Sequence, residues 1–412
     1  MRVNGIIAEY NPFHNGHKYH LSESKRMTGA EYTIVVMSGC FVQRGAPALA
    51  DKFKRAEMAL LGGADLVIEL PALYAAASAE YFATGAVSLL DKLGVVTDLC
   101  FGSECGDADL LRQIAEILLE EPKAYSQSLK KYLRQGLSYP NARTEALIQN
   151  YPDMGQHKNV FSSPNNILGI EYIKAILKSD SKLKPVTVRR MGAGYHSRLP
   201  EDVQCSALAI REALYAGTNI SFLNNHMPEK AAELLSEKLA ASGPVRSNDF
   251  SDILYYKLTM EKDKGFTKYH DVSEDLSDRI CKHLDDYRSF DGFCDLLKTK
   301  DMTYTRISRC LLHILLDIQK TDMSKAKAME FAPYARVLGF RKDSAALMSE
   351  IKEHSSIPLL TKLADADKIL DKNAMSMLHQ DIRISQIYNG IVARRSGTAP
   401  ANEIATPLVI IS

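Results

Sequence analysis

The first 190 residues alternate short, nearly continuous apolar runs with amphipathic stretches. That alternation restricts the fold more than any other feature of the chain. Residues 3–9, 32–37 (YTIVVM), 66–70 (LVIEL), 97–101 (TDLCF) and 186–190 (VTVRR) read as strands, and 16–26, 51–61, 78–93 and 166–179 as helices. Strands apolar on both faces need cover on both, which a parallel sheet between two helical layers provides. Stretches 107–121, 122–134 and 143–150 form a helical insertion near 107–150. Residues 1–217 therefore predict a doubly wound, Rossmann-like parallel-sheet α/β domain.

After Gly217 the texture changes. Periodicity from 227 to 379 is mostly helical, punctuated by Pro228, Pro244, Pro333 and Pro358, with 251–261, 276–287, 290–297 and 306–319 the clearest segments. From Ile387 onward, short β-like runs mix with turns. Residues 218–412 are expected to form a second, mostly helical domain. With 46% apolar and 25% charged residues the chain can build an ordinary core. Lys and Arg outnumber Asp and Glu by 51 to 50, so bulk charge names no partner and any phosphate-binding surface must be a local patch. The N-terminus has no apolar signal core, and the most apolar region, 62–79, is broken by Asp65, Glu69 and Pro71. Neither a membrane nor DNA is expected as a partner. Seven cysteines without a CxxC pair suit reduced thiols in the cytoplasm, and Cys100 with Cys105 lacks the second pair that zinc needs.

His14-Asn15-Gly16-His17 follows the first strand and opens the first helix. In a parallel sheet, ligands bind beyond the carboxyl ends of the strands, where a glycine admits phosphate and a helix start offers unpaired N–H groups. Two imidazoles three residues apart can donate to a phosphate oxygen as it gains charge, and that chemistry requires no lysine. Alone, the four residues also fit surface or capping histidines; the flanking strand and helix favour catalysis. Far along the chain, CSALAIR (205–211) starts another helix, with Ser206 as N-cap and Arg211 inside it. By itself this is an ordinary capped helix. Paired with HNGH it completes a nucleotidyltransferase signature, S-x-x-x-x-R serving the outer phosphates.

HNGH and CSALAIR together resemble the cytidylyl/adenylyltransferase superfamily. GIIAEYNPFHNGHKYHL, VVMSGCFVQRGAPALADKFKRAEMALLGGADLVIELP, LCFGSE, SSPNNILGIEYIKAIL and RRMGAGYHS, in order, resemble the tRNA(Met) cytidine acetate ligase family. TYTRISRCLLHILLDI and YARVLGFRK extend the likeness into the helical half. Two positions depart from the family pattern: Cys40, where a polar residue such as Asn is expected, and Cys205, where Ile or Ser is commoner.

The resemblance implies a two-step reaction. Acetate attacks the α-phosphate of ATP, forming acetyl-adenylate and pyrophosphate. The N4 amine of the wobble cytidine of elongator tRNA(Met) then takes the acetyl group, leaving AMP. Mg²⁺ is expected to arrive with the ATP phosphates, without a protein cage. Carried over by position, Ile7, Ala8, Glu9, Tyr10, Asn11, Pro12, Phe13, His14, Asn15, Gly16, His17, Lys18, Tyr19 and His20 wrap the nucleotide, with His14 and His17 catalytic. Gly102, Asn165 and Arg190 match further nucleotide contacts, although turn chemistry alone also accounts for Gly102 and Asn165.

For RNA, Lys298, Lys300, Tyr304, Arg306 and Arg309 interleave a stacking ring with cations and form the preferred site. Tyr304 is equally a core candidate. Two other basic clusters, Lys182, Lys184, Arg189, Arg190 and Arg198, and Arg44, Lys52, Lys54 and Arg55, fit either RNA contacts or solvated faces. Two rival functions remain: a cofactor adenylyltransferase, and a non-catalytic, nucleotide-responsive RNA-binding protein.

Overall fold

The computed structural model describes residues 1–190 and 205–412. Among these residues ten strands appear in chain order: β1 (Val3–Ala8), β2 (Tyr32–Ser38), β3 (Phe41–Val42), β4 (Ala46–Pro47), β5 (Leu66–Leu70), β6 (Asp98–Ser103), β7 (Lys184–Arg189), β8 (Ala335–Arg341), β9 (Leu359–Leu360) and β10 (Val409–Ile411). The main sheet runs β10-β8-β5-β2-β1-β6-β7, with β9 beside β8, while β3 and β4 form a separate hairpin. Strands β1, β2, β5, β6 and β7 are mutually parallel, and nearly every residue of β1, β2, β5 and β6 is buried. The predicted doubly wound sheet is therefore present. Its order reverses between β1 and β6, which makes the space beyond their carboxyl ends the ligand crevice.

Local chemistry sets the helices that frame this crevice. His14 caps helix Asn15–Thr28, which ends at Gly29 with φ of 64°. Asp51 caps helix Lys52–Leu61 by accepting the Lys54 N–H at 3.0 Å. The insertion consists of helices Ala108–Glu120, Lys123–Arg134 and Tyr139–Asn150, followed by a 3₁₀ stretch, Pro152–Phe161.

The second half is mostly helical, with two corrections. Residues 335–341, inside the stretch that read as helical, form β8, antiparallel to β5. Val337 and Leu338 are buried there on opposite faces, so β8 belongs to the sheet interior. Conversely, the β-like run after Ile387 continues helix Lys372–Ser396, which buries Ile384, Tyr388 and Ile391 along one side, while the expected turns and β-run are found beyond Gly397, where β10 lies. The sheet thus takes strands from beyond residue 217.

A buried charge network holds this extension in place. Lys52 Nζ bonds Glu69 Oε1 at 2.7 Å and Ser385 Oγ at 3.0 Å, and it pairs with Glu403. Arg336 reaches Glu69 at 2.9 Å and Glu403 at 2.8 Å. All four charged groups are at most 5% exposed, so each depends on the others for its solvation. Among the described residues no helix is long and apolar enough to cross a membrane.

Candidate active site

A cleft of about 1060 Å³ opens at the carboxyl ends of β1 and β6. Its first wall is the loop after β1, where Tyr10 takes a left-handed φ of 46°. Two arginines hold this loop by its carbonyls. Arg55, fully buried, donates to the carbonyls of Glu9 (2.6 Å), Ser38 (3.0 Å), Ala50 (3.0 Å) and Gly39. Arg211 Nη1 donates to the Asn11 carbonyl at 2.5 Å, and Asn11 Oδ1 accepts the Leu49 N–H at 2.8 Å.

The histidines are oriented by the same backbone. His14 Nδ1 accepts the Gly16 N–H at 3.0 Å, and His17 Nδ1 accepts the His14 N–H at 3.3 Å. Their rings stack at 3.8 Å. A nitrogen that accepts a hydrogen bond carries no proton, so in each neutral ring the proton sits on Nε2 as a donor. Burial, then the electrostatic influence of Arg190 and His226, lower His14 to about 4. Burial, His14 and Arg190 push His17 well below its usual range, and burial with Arg190 lowers His20 to about 4. Near pH 7 the site therefore offers neutral N–H donors rather than imidazolium ions.

Arg190, placed by its N–H bond to the Ser103 carbonyl at 2.9 Å, lies across Gly102. A Cβ at residue 102 would stand 3.2 Å from Arg190 Cγ, so glycine leaves that arginine its place. Ser206 caps helix Ala207–Tyr215 by accepting the Ala209 N–H, and its own O–H remains a donor. The cleft's carboxylates are engaged. Glu9 Oε1 accepts the Gln43 N–H at 3.0 Å, and Glu104 accepts Asn165 Nδ2 at 2.6 Å and the Asn166 N–H at 2.9 Å. These acids do not fit a dedicated metal cage, and among the described residues no group of three potential metal ligands occurs.

The chain matches the family model for HIGH Nucleotidyl Transferase over residues 1–401. It is 42% identical to the tRNA(Met) cytidine acetate ligase of Acetivibrio thermocellus, over 94% of each chain. It is 41% identical to that of Halothermothrix orenii, again over 94% of each. The chain belongs to the tRNA(Met) cytidine acetate ligase family. Its structure is similar to Thermotoga maritima TmcAL bound with alpha-thio ATP, at a TM-score of 0.91 and 32% identity over the whole of both chains.

Within this acetate ligase family member, most residues expected of the nucleotide site line the cleft. Four do not. Phe13 is fully buried in the core, where a Cβ at Gly62 would meet its ring at 2.2 Å. Pro12 is buried beside it. Asn15 Nδ2 donates to the Asn225 carbonyl at 3.3 Å, and Lys18 lines a separate cavity with Lys25 and Arg341. Helical geometry accounts for Lys18: one residue past His17, it turns about 100° off the histidine face.

The five RNA candidates stand apart from the cleft. Lys298 pairs with Asp295 at 2.7 Å, the Tyr304 hydroxyl donates to Asp291 at 2.7 Å, and Lys300 is exposed. Arg306 and Arg309 share Asp271, at 3.7 and 3.8 Å. Their helix, Tyr304–Leu316, buttresses the β3–β4 hairpin. Ser308 Oγ donates to the Gly45 carbonyl at 2.9 Å, and a Cβ on Gly45, whose φ is 76°, would lie 2.5 Å from the Arg309 nitrogen. The hairpin tip, Gln43 and Arg44, lines the cleft.

Of the other basic clusters, Lys52 and Arg55 are buried and closed to RNA. Arg198 and the 191–197 part of RRMGAGYHS lie outside the described residues. Cys40 is buried, and burial pushes its thiol up to about 12, while Cys205 lines the cleft.

The sequence reading missed three residues that shape the site: Arg55, Glu104 and Asn166. Asn166 Oδ1 accepts from Ser103 Oγ (2.8 Å) and from the N–H groups of Glu104 (3.0 Å) and Cys105 (3.3 Å), fixing the turn after β6. One signal pointed to Arg55. KFKRAEMALL is apolar on so many sides that its cations cannot all reach water.

Proposed function

We propose that the chain activates acetate with ATP and acetylates the N4 amine of the wobble cytidine, position 34, of elongator tRNA(Met) in the cytoplasm. The observation that carries this reading is the stacked pair His14 and His17, each with Nδ1 closed by a backbone amide and Nε2–H left to donate.

An acetate oxygen attacks the α-phosphorus, the bond to the β-phosphate bridge breaks, and pyrophosphate departs with the electron pair. The two Nε2–H groups donate to the α-phosphate as charge grows on it, without giving up their protons. Arg190 supplies fixed positive charge beside them, and Ser206 with Arg211 faces the departing phosphates. Mg²⁺ is expected to travel with those phosphates. In the second step the cytidine N4 attacks the acetyl carbon, AMP leaves, and N4 loses one proton.

The test is ATP–pyrophosphate exchange driven by acetate, with and without tRNA(Met). Acetate-dependent exchange supports the reading. Pyrophosphate release that instead requires nicotinamide mononucleotide or phosphopantetheine would replace it with cofactor adenylylation. ATP binding without exchange under either condition would leave a non-catalytic RNA-binding protein.

A further inference from the structure

Between residues 122 and 144 the chain carries Lys123, Lys130, Lys131, Arg134 and Arg143 and no acid. In a protein of net charge +1, this is a local concentration of positive charge of the kind a polyanion requires. Helix Lys123–Arg134 orders it. Tyr125 and Ser128 are buried toward helix Tyr139–Asn150, and Ser128 Oγ accepts Asn150 Nδ2 at 2.9 Å. Lys123, Lys130 and Arg134, spaced seven and four residues apart, form one exposed stripe on the opposite side, with Lys131 next to it.

Two features separate this stripe from the rest of the surface. No carboxylate lies within salt-bridge distance of Lys123, Lys130, Lys131 or Arg134 among the described residues. The cations of the 298–309 stretch, by contrast, are largely tied to Asp295 and Asp271. Tyr139, at the start of the adjoining helix, is 56% exposed and offers a ring for base stacking. The insertion is also rooted at the cleft. It follows Glu104 and returns at Pro164–Asn165, all cleft-lining, and Glu104 ties the two ends together through Asn165 and Asn166.

We infer that the cationic stripe of helix Lys123–Arg134 is the docking surface for the tRNA phosphate backbone, holding the RNA at the lip of the adenylate cleft. The inference rests on the proposed function for the identity of the RNA. An anionic membrane is the poorer fit, because a membrane-surface helix inserts its apolar face, and here that face is packed against the neighbouring helix.

The triple variant Lys130→Ala/Lys131→Ala/Arg134→Ala tests it in the full chain. We expect the KM for tRNA(Met) to rise about tenfold or more near 0.1 M salt, and the log–log salt dependence of binding to flatten by about two to three. Acetate-dependent pyrophosphate exchange and the thermal midpoint stay at wild-type values. The charge-conserving variant Lys130→Arg/Lys131→Arg keeps tRNA binding. A second triple, Lys298→Ala/Lys300→Ala/Arg306→Ala, removes cations of the stretch that the sequence favours for RNA; weakened tRNA binding in that triple alone, with the first triple at wild-type affinity, overturns the inference. Unchanged tRNA binding and salt slope in the first triple overturn the inference. So does loss of binding to phosphatidylserine vesicles in that triple with tRNA binding intact. Because tRNA binding is read separately from exchange, failure of acetate activation in the wild type sinks the proposed function without deciding the surface.

Discussion

Lys52 and Arg55 sit one turn apart on the same helix and are both fully buried, yet they are solvated in opposite ways. Lys52 is surrounded by Glu69, Glu403 and Ser385. Burial and Arg336 push its pKa down, the two glutamates push it up, and the glutamates prevail. Among the described residues Arg55 has no carboxylate partner; four backbone carbonyls carry its charge, and burial pulls its pKa down. The first arrangement joins segments far apart in sequence, because each carboxylate comes from a different element. The second fixes the ends of β1 and β2, because carbonyls are what strand ends present. A buried cation paired with acids fastens the fold here, whereas one paired with carbonyls shapes the edge of the cleft.

The comparison breaks most visibly at Lys52. Lys52→Met leaves Glu69 and Glu403 with Arg336 as their one remaining cation among the described residues, and should destabilise the fold by about 3–5 kcal/mol. Denaturant unfolding measures this, and the exchange activity per folded molecule should remain near wild type. A variant of normal stability would show that the network is not the fastening described. His17→Ala supplies the opposite extreme. On the proposed mechanism it removes one donor from the α-phosphate, and should cost about 3–4 kcal/mol in the barrier to adenylate formation while the fold is kept. Wild-type exchange by that protein would remove the histidine pair from the mechanism.

Arg55→Lys falls between the two. One ammonium cannot span four carbonyls on two strand ends and a loop, so some go unsatisfied at about 1–3 kcal/mol each. Because the Glu9 carbonyl precedes the histidine loop, the loss should appear as a raised KM for ATP together with a lowered kcat. Loss of stability alone, with both kinetic constants unchanged, would place Arg55 with Lys52 and dissolve the distinction.

How far the sequence disclosed these roles depended on whether local pattern or long-range packing decides them. The strand, the HNGH capping segment and the helix after it are adjacent in the chain, so periodicity and turn chemistry locate them together. Phe13 lies inside the same segment, yet it is core, because the close approach of Gly62 that receives its ring comes from another helix. Lys52 and Arg55 read as a basic cluster because the partners that bury them arrive from residues 9, 38–39, 69, 336 and 403. Strand β8 was hidden for a related reason. Its pairing partner, β5, lies some 270 residues upstream, at a distance read from the register Leu66↔Phe340, and local periodicity carries no trace of it. Conversely, the Ile387–Ile391 spacing of four was a helical signal masked by Gly390 and the turn-rich tail.

The smallest expected effect sharpens the same contrast through pH. On the site side, His14 and His20 titrate near 4 in the folded chain and near 6.5 when unfolded. Between those values only the unfolded chain binds the protons, so their contribution to stability is complete above about 6.5 and declines as pH falls toward 4. Exchange activity should nevertheless not fall through histidine protonation between pH 8 and 5, since the folded rings remain neutral. On the network side, Asp381 accepts the Ala72 N–H at 2.8 Å and the Tyr334 O–H at 3.2 Å, and burial, then Glu69, push its carboxyl up to about 7. Between about 3.8 and 7 it holds a proton only in the folded chain, so its contribution declines as pH rises. The two slopes oppose one another over the same window. Asp381→Asn removes one of them while keeping an oxygen for Ala72. The rise of unfolding free energy with pH from 4.5 to 6 should then steepen by one proton's worth, about 1.4 kcal/mol per pH unit. An unaltered slope would mean that Asp381 is already ionised in the fold and that Lys52 and Arg336 hold three carboxylates rather than two.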